Sequence, residues 1–467
     1  MVKINIFHTN DIHSRYNQLA KISTYLKKHR KENDLTLDAG DFIDFSFPLN
    51  YATKGQCGID LLNKCGYDAL AIGNNEGFNK RKIVEKLAKK DKVKFLSVNL
   101  KKKNLEDLDY ILPSIIIKKK NISFLIIGAT PYVQSYNDYF NLYDFSSLPP
   151  YDLIRKEIKK YQGKYDFTIL LSHLGLRYDT LIAQSDLNID LIIGGHSHTL
   201  LPLKKINNTF IHQVGVYGTH LGVVKLFFDK EKKYKIKAEE ISVKNYVKDI
   251  EVLQEIEKQE KKAFKNLQKK LFNVPDKLFT SKNKENSFSN FLADSMLRKY
   301  PSDFAIVNSG MLNQNLDEKE LTLKKLLKIN NSPIILTTIY IKGKYIIEAL
   351  NLSLDKKFTI QDGHAPGFRG SFLGCLAVSN NVEVYYKKNN ISAIFVNGKL
   401  LNIDKTYKVI TTDYLKRGSY YTSLSCCEKA IYHKESVRDI LCKYLKYDEL
   451  YFLAKIKRWR KVKDEKL

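Results

Sequence analysis

Cysteine is scarce in this sequence, and its spacing does not match a disulfide framework or a cysteine metal site. The chain of 467 residues has six cysteines and no C-x-x-C pair, although Cys426 and Cys427 are adjacent. In a chain of this length, so few cysteines predict reduced thiols rather than stabilising disulfides. We therefore expect a cytoplasmic protein.

Long apolar runs are also absent. No segment approaches about 18 consecutive apolar residues, the length that a membrane-spanning helix needs. The first residues, MVKINIFHTNDIH, alternate polar and apolar side chains and predict a strand. They lack the continuous apolar region of a secretory signal peptide. We expect no membrane partner.

Arginine is sparse, whereas lysine is abundant and gives the chain a formal net charge of +27 at pH 7. Such a charge suits a nucleic-acid or anionic membrane partner. However, the lysines occur in short groups along the whole chain, and arginine is the preferred reader of bases and phosphates. We favour a compositional origin of the charge, which would still attract a phosphorylated substrate. Nucleic acid stays open as a partner without being favoured.

Strand-like and helix-like segments alternate along a chain that is too long for one core. We expect an α/β layered domain over 1–245, a linker helix within 246–272 and a second, smaller α/β domain over 273–467. The linker prediction comes from apolar residues at helical spacing between 252 and 271. The basic end, IKRWRKVKDEKL, is expected to fray.

Residues that bind metals follow several predicted strands of the first domain. In an open α/β sheet, sites form at the carboxyl ends of strands, so residues distant in sequence can meet there. The mixture of imidazole and carboxylate suits Zn, Mn, Fe or Co rather than calcium. The candidate ligands are Asp11, His13, Asp41, Asn74, His173, His196 and His198.

The motifs HTNDIH, DAGDFID, GNNE, SHLG and GGHSH, in this order, resemble those of the calcineurin-like metallophosphoesterases. More narrowly, they resemble the branch of 5′-nucleotidases and 2′,3′-cyclic-nucleotide phosphodiesterases. The segments NFLADSMLRKYPSDFAIVNSG and VITTDYLKRGSYYTSL resemble the substrate-binding C-terminal domain of that family. The resemblance implies a four-layer α/β/β/α sandwich followed by the smaller domain, in a divergent cytosolic bacterial branch.

The resemblance also implies two divalent metal ions, Mn, Zn, Fe or Co. One would bind Asp11, His13, Asp41 and His198. The other would bind Asp41, Asn74, His173 and His196, with Asp41 bridging. Two cations roughly 3.5–4 Å apart activate a shared water and neutralise phosphoryl oxygens. Asp41, Asn74, Asn75 and His173 are therefore the candidate catalytic residues.

One departure concerns the general acid. The family pattern is Gly-Asn-His-Glu-x-Asp, whereas this chain has Asn75 and Phe78 in place of the His and the Asp. An Asn can hydrogen-bond a phosphoryl oxygen but cannot donate a proton as a general acid. Losing that help costs about 10²–10⁴-fold in rate. The loss matters least for a good leaving group such as a phosphoanhydride.

The second domain departs from the pattern too. Asn313 stands where the family has a phosphate-binding Arg, and Arg369 and His364 are candidate replacements in a Gly- and Pro-rich loop. Tyr414 and Phe372 are candidate aromatic residues for stacking a nucleobase. These five residues are the expected substrate-binding set.

The leading hypothesis is a cytoplasmic hydrolase of phosphoric ester bonds that acts on nucleotides or related small phosphorylated molecules in nucleotide catabolism. Its nucleophile would be a metal-activated hydroxide. One alternative is a metal-dependent nuclease on the same core. The other is a nucleotide-binding protein with weakened catalysis.

Overall fold

The computed structural model describes residues 1–90, 92–365 and 367–462. The chain divides into two compact units, Met1–Phe264 and Lys265–Leu467. The domain boundaries expected from the sequence, at 245 and 272, stay a prediction.

The first unit has fifteen strands among its described residues. They are β1 (Val2–Thr9), β2 (Leu35–Asp38), β3 (Ala69–Ala71), β4 (Lys94–Leu96), β5 (Leu100–Lys102), β6 (Ile111–Leu112), β7 (Ser114–Lys119), β8 (Ile122–Ala129), β9 (Phe145–Ser147), β10 (Phe167–Ser172), β11 (Leu191–Gly194), β12 (Leu200–Ile206), β13 (Thr209–Val214), β14 (His220–Phe228) and β15 (Tyr234–Ser242). The helices are α1 (Tyr16–His29), α2 (Pro48–Thr53), α3 (Gln56–Cys65), α4 (Asn74–Gly77), α5 (Arg81–Lys90), α6 (Gln134–Leu142), α7 (Tyr151–Lys160), α8 (Leu176–Gln184) and α9 (Ile250–Leu267).

Two stacked sheets form the centre of this unit. One has the strand order β15-β14-β1-β2-β3-β4-β6 and the other the order β12-β13-β11-β10-β8-β7. Apolar side chains alternate between the faces of each strand, as the period of two requires. In β8, for example, Phe124 and Ile126 face the core between the sheets, whereas Leu125 and Ile127 face the helices.

Helices cover both outer faces of the sheet pair. Residues of α1 and α3, such as Leu19 and Leu62, pack in one core with Phe7 of β1. Ile154 of α7 and Ile182 of α8 pack against the other sheet. The result is the four-layer α/β/β/α sandwich, and this prediction is confirmed.

The second unit is also an α/β structure. Its strands are β16 (Lys270–Asn273), β17 (Phe304–Asn308), β18 (Glu320–Thr322), β19 (Ile335–Lys342), β20 (Leu376–Val378), β21 (Val382–Lys387), β22 (Asn390–Val396), β23 (Lys399–Leu400), β24 (Thr406–Thr412), β25 (Lys429–Ser436) and β26 (Trp459–Lys461). Its helices are α10 (Ser287–Lys299), α11 (Leu323–Ile329), α12 (Gly343–Leu352), α13 (Lys356–Ile360), α14 (Asp413–Lys416), α15 (Val437–Tyr444) and α16 (Asp448–Ala454). The main sheet has the order β20-β17-β24-β19-β25, and a second has the order β23-β22-β21-β26.

The helix expected between 252 and 271 ends earlier than its apolar spacing indicates. Helix α9 stops at Leu267, and residues 270–273 form β16, which pairs with β18. Leu271 and Phe272 pack against the core of the second unit. Their burial in a strand outweighs the helical spacing of Leu271, so that part of the prediction is wrong.

The basic end of the chain is ordered as far as the structure describes it, which contradicts the expected fraying. Trp459–Lys461 form β26 and pair in parallel with β21. The preceding Arg458 is 1% exposed and lies 2.5 Å from a carboxylate oxygen of Asp294. This pairing inside the unit explains the order. Residues 463–467 of the expected tail lie outside the described residues.

Candidate metal centre

The strand registers bring the predicted ligands to one edge of the sheet pair. Thr9, at the end of β1, pairs with Asp38, at the end of β2. In the second sheet, Ser172 at the end of β10 pairs with Gly194 at the end of β11. Every predicted ligand lies within a few residues of a strand end, so the loops meet, as expected for parallel strands.

Five of the seven predicted ligands have a left-handed backbone. They are Asp11 (φ 50°), His13 (φ 44°), Asp41 (φ 54°), His196 (φ 70°) and His198 (φ 55°). Such a φ costs a residue other than glycine of order 1–3 kcal/mol and persists only where the surroundings impose it, commonly at functional sites. The clustering of this conformation at these positions indicates a site rather than ordinary turns.

One group of side chains consists of Asp11, His13 and His198, whose candidate ligand atoms all lie within 4.8 Å of one another. Asp11 Oδ1 is 3.7 Å from His13 Nε2 and 3.5 Å from His198 Nε2. The two imidazole nitrogens are 3.2 Å apart. These three atoms are close enough together to bind one metal ion.

A second group consists of Asp11, Asp41 and His173. His173 Nε2 is 3.4 Å from Asp41 Oδ1 and 3.7 Å from Asp11 Oδ1. The other oxygen of Asp41, Oδ2, is 3.9 Å from His13 Nε2. Asp41 therefore directs one oxygen to each group, an arrangement that suits the bridging role implied for it. Asp11 belongs to both groups as well.

Two buried side-chain atoms of the predicted ligands, Asn74 Oδ1 and His173 Nε2, have no hydrogen-bond partner among the described residues. The other nitrogen of His173, Nδ1, lies 2.7 Å from the carbonyl oxygen of Ala39. Because a carbonyl only accepts, Nδ1 donates its proton to Ala39, and Nε2 is the nitrogen that faces the carboxylates. A metal cation would satisfy both unpartnered atoms, so these residues fit a metal.

The electrostatics also favour a positive charge here. Burial lowers the pKa of His173, but the carboxylates of Asp41 and Asp11 outweigh burial and raise it to about 10. Burial raises the pKa of Asp41, but His173 and His13 outweigh it and hold that pKa below its usual range. Burial and the charge of His173 lower the pKa of His196 to about 4, so its ring is neutral at pH 7. The carboxylates thus favour a positive charge on His173, and a bound cation would replace its proton, since neutral imidazole and ionised carboxylate are the forms that bind metals.

Two supporting residues were not identified from the sequence. Asn10 donates to Asp11 Oδ2 at 2.8 Å and to the carbonyl of Gly215 at 2.7 Å. Glu76 accepts from the backbone N–H groups of Asp41, Ile43 and Gly73 at 3.1, 2.8 and 3.0 Å. Both fix the orientation of carboxylates at the site. Their only sequence signal is that each adjoins a candidate site residue, Asn10 beside Asp11 and Glu76 beside Asn75.

Gly73 allows the closest approach at the site. A Cβ atom at this position would lie 2.2 Å from Asp41 Oδ1. Any other residue would therefore displace the Asp41 carboxylate. The glycine that ends the apolar run Ala69–Ile72 thus has a steric role at the site as well as a role in the turn.

Asn75 lies inside the cluster. Its backbone N–H donates to Asp41 Oδ1 at 2.8 Å, and its side-chain Nδ2 donates to Asp41 Oδ2 at 2.7 Å. Nδ2 also lies 3.1 Å from His13 Nδ1. The amide is thus at the metal-ligand carboxylate, where it can orient Asp41 and contact a bound anion, but it has no acidic proton to give.

Phe78 is part of an aromatic cluster instead of supporting an acid. Its ring stacks on Tyr136 with centroids 5.4 Å apart, and it also contacts Tyr139 and Phe140. The Tyr136 ring in turn lies 5.5 Å from that of His196. One wall of the site is therefore apolar and aromatic.

In the second unit the structure brings two predicted substrate-binding residues together. Asn313 Nδ2 lies 3.5 Å from the backbone carbonyl of Arg369 and 3.1 Å from Asn331 Oδ1. The Arg369 backbone N–H donates to Ser332 Oγ at 2.9 Å. His364 is exposed, and its carbonyl accepts from the Tyr420 hydroxyl at 3.2 Å.

The two predicted base-stacking residues are not paired with each other. Tyr414 is 1% exposed, its ring stacks on Phe368 with centroids 4.5 Å apart, and its hydroxyl donates to the carbonyl of Gly363. Phe372 is 5% exposed and lies beneath Lys282, whose Nζ is 5.1 Å from the ring centre. In this arrangement neither ring has a free face for a base.

Comparison with known proteins defines the class of this fold and site. The calcineurin-like phosphoesterase family matches residues 4–200. Members of this family use a dinuclear metal centre and hydrolyse phosphoric ester bonds. The protein is therefore a metal-dependent hydrolase of phosphoric esters.

A second match narrows this class. The 5′-nucleotidase C-terminal domain matches residues 271–423, so the two matches together span most of the chain. The chain belongs to the 5′-nucleotidase family, in which a calcineurin-like phosphoesterase domain precedes that C-terminal domain. This confirms the family resemblance inferred from the sequence.

Individual relatives agree along nearly the whole length. The chain is 27% identical over 463 residues to the uncharacterized metallophosphoesterase YunD of Bacillus subtilis (strain 168). This alignment covers 94% of this chain and 98% of YunD. It is 23% identical over 486 residues to a 5′-nucleotidase of Vibrio vulnificus (strain CMCP6). That alignment covers 89% of this chain and 85% of the Vibrio protein. The crystal structure of a 5′-nucleotidase precursor from Thermus thermophilus shares the fold, with a TM-score of 0.59 at 18% identity over 99% of this chain and 100% of that one.

None of the helices in the described part of the chain combines the length and the apolar character needed to cross a membrane.

Proposed function

We propose that this protein hydrolyses nucleotides, or related small phosphorylated molecules, at a two-metal centre and takes part in nucleotide breakdown. The observation that supports this most strongly is that two buried atoms of the predicted ligands, Asn74 Oδ1 and His173 Nε2, have no hydrogen-bond partner among the described residues, and that His173 Nε2 faces the carboxylates of Asp41 and Asp11. A nucleotide substrate is further supported by the matched C-terminal domain.

The proposed ligands divide into two sets that share Asp41. The first set is Asp11, His13, Asp41 and His198; the second is Asp41, Asn74, His173 and His196. These donors suit Mn, Zn, Fe or Co. When bound, two such cations lower the pKa of the attacking water and neutralise the phosphoryl oxygens.

The protein's own groups hold the reacting centre in place. Asp11 is oriented by Asn10, and the loop of Asp41 is held by Glu76. Asn75 Nδ2, 2.7 Å from Asp41 Oδ2, is near enough to hydrogen-bond a phosphoryl oxygen bound at the centre. Because Asn75 supplies no proton, the leaving group must depart as an anion or take its proton from water.

We further propose that residues 273–467 bind the substrate through Arg369, Asn313 and His364, and that Tyr414 and Phe372 contact its base. The proximity of Asn313 to Arg369 supports the first part. The second part requires movement, since Phe368 and Lys282 lie on the two rings. The boundaries at 245 and 272 belong to the same proposal.

A cytoplasmic location is supported by the cysteines. All six are free, as is typical of a reducing compartment. Fractionation of the native cells with an antibody would test this part.

Nuclease activity is the second candidate, and the net charge of +27 is the observation that favours it. A nuclease would cleave single-stranded oligonucleotides with a steep dependence on salt. Indifference to oligonucleotides would exclude it.

One activity screen tests the proposal. Phosphate release would be measured from mono-, di-, cyclic and dinucleotides, with Mn, Zn, Co or Fe added, for the wild type, Asp41→Asn and Asp186→Asn. Asp186 is a carboxylate paired with Arg155 on the surface, so its variant controls for the loss of one charge. We expect turnover by the wild type and Asp186→Asn, and at least a thousandfold loss in Asp41→Asn because one bridging charge is removed. The proposed function would be contradicted if Asp41→Asn kept its turnover. It would also be contradicted if the wild type released no phosphate with any of the metals.

A further inference from the structure

Arg15 is a cation beside the metal centre that has no anionic partner in the described part of the chain. It is exposed and lies two residues after His13. Its guanidinium lies between two aromatic rings, with Cζ 5.0 Å from the ring centre of Phe47 and 4.9 Å from that of Tyr217. No ion pair or side-chain hydrogen bond links it to another described residue. The rings hold the guanidinium in one place while its donors stay unused.

Tyr217 connects this arginine to the metal centre. Its ring lies 5.7 Å from the ring of His13 and 6.3 Å from that of His198. Its backbone N–H donates to the carbonyl of Asp11 at 2.7 Å. The guanidinium is therefore one aromatic ring away from the group formed by Asp11, His13 and His198.

The position of Arg15 does not stabilise the helix that it precedes. Arg15 is the N-cap residue of α1, makes no side-chain capping hydrogen bond, and the first turn of α1 has no acidic residue. A cation at a helix N-terminus is unfavourable, because that end of the helix is already positive. An anion bound at this point would compensate both charges.

We propose that Arg15 binds the phosphate next to the one under attack, so that this site prefers substrates with a phosphoanhydride bond. The inference rests on the proposed function, because it assigns the attacked phosphate to the metal centre. A second phosphate attached to that one would lie beside the centre, toward the rim where Arg15 is held.

The absence of a general acid at position 75 independently favours a substrate with a phosphoanhydride bond. In anhydride hydrolysis, the oxygen of water bonds to the attacked phosphorus, and the bond from that phosphorus to the bridging oxygen breaks. The electron pair leaves with the bridging oxygen, and the departing phosphate is an anion that needs no proton. Water gives its proton to the solvent. Arg15 would neutralise the departing charge, which is the task that a general acid performs for an alkoxide.

Binding of two small probes tests this inference without turnover. Calorimetry of the Mn-loaded protein would compare methylenediphosphonate, which has two phosphorus groups, with inorganic phosphate, which has one. We expect Arg15→Gln to weaken binding of methylenediphosphonate about tenfold or more, as loss of a charged hydrogen bond does, and binding of phosphate less than threefold. Arg15→Lys should recover part of the affinity, since it keeps the charge without the stacked plane.

Arg155→Gln is the matched control, because it removes the same charge from an arginine that is paired with Asp186. It should bind both probes as the wild type does. Tyr217→Leu removes one of the rings that hold Arg15 and should selectively weaken methylenediphosphonate binding, which provides a second route if Arg15→Gln proves unstable in a thermal scan.

Turnover gives a second readout. The ratio of kcat/KM for a nucleoside diphosphate to that for the monophosphate should fall at least tenfold in Arg15→Gln, mainly through KM. Equal effects on both probes and both substrates, or no effect, would overturn the assignment of Arg15. Absence of turnover by the wild type would contradict the proposed function instead, and the binding comparison would still decide the role of Arg15.

Discussion

At the scale of single residues, the side chain at position 75 determines which leaving groups the site expels without help. Asn75 donates its amide to Asp41, and Phe78, which replaces the family's Asp, lies in an aromatic cluster. Both members of the expected acid pair are therefore absent, while five of the seven predicted metal ligands lie in two groups that share Asp11. The site resembles a two-metal phosphoesterase that relies on the quality of its leaving group.

Restoring the acid should widen the range of substrates. In the double variant Asn75→His/Phe78→Asp, an imidazole held by a carboxylate would protonate the leaving oxygen. We expect kcat/KM for a nucleoside monophosphate to rise at least tenfold, whereas hydrolysis of an activated aryl phosphate, whose leaving group needs no proton, changes little. Steady-state kinetics with both substrates measures this, and Asn75→His alone serves as the control for the orienting Asp. An equal change in kcat/KM for the two substrates would contradict the role of the introduced His as a general acid.

At the scale of elements, the ends of secondary structures were the least predictable part of this chain. The apolar spacing that predicts a helix to 271 continues through Leu271, but that residue belongs to β16, which pairs with a strand about fifty residues later. Likewise, the basic sequence around Arg458 gives no local sign that it will be buried. In both cases a distant partner, β18 or Asp294, determines the outcome, and a sequence pattern does not identify distant partners.

The buried pair in the terminal segment should contribute strongly to stability. Arg458 and Asp294 are 1% and 3% exposed at their side chains, whereas Arg460 pairs with Glu383 at 47% and 41% exposure. We expect Arg458→Met to lower the free energy of unfolding by about 3–5 kcal/mol, because it leaves a buried carboxylate unpaired. Arg460→Met should cost about 0–1 kcal/mol.

Urea denaturation, followed by a probe in the second unit, would measure both variants. Equal effects of the two substitutions would show that the burial of Arg458 does not determine its contribution.

At the scale of the whole molecule, the strand order that puts parallel strand ends at one edge explains why the ligand set was predictable. Each of the seven predicted ligands follows a strand, and strands β1, β2, β3, β10 and β11 end at that edge. What the sequence did not reveal depends on contacts across the edge. Arg15 and Tyr217 are 202 positions apart and meet only because the loops after β1 and β13 meet.

The proposed centre holds two metal ions at this edge of the sheet pair, with Asp41 between them. The most direct test is an anomalous difference map from a crystal of the protein soaked in MnCl₂. Two peaks are expected, one bound by Asp11, His13 and His198 and the other by Asn74, His173 and His196, each in direct contact with its ligand atoms and with one oxygen of Asp41. A single peak, or two peaks that share no carboxylate of Asp41, would contradict it.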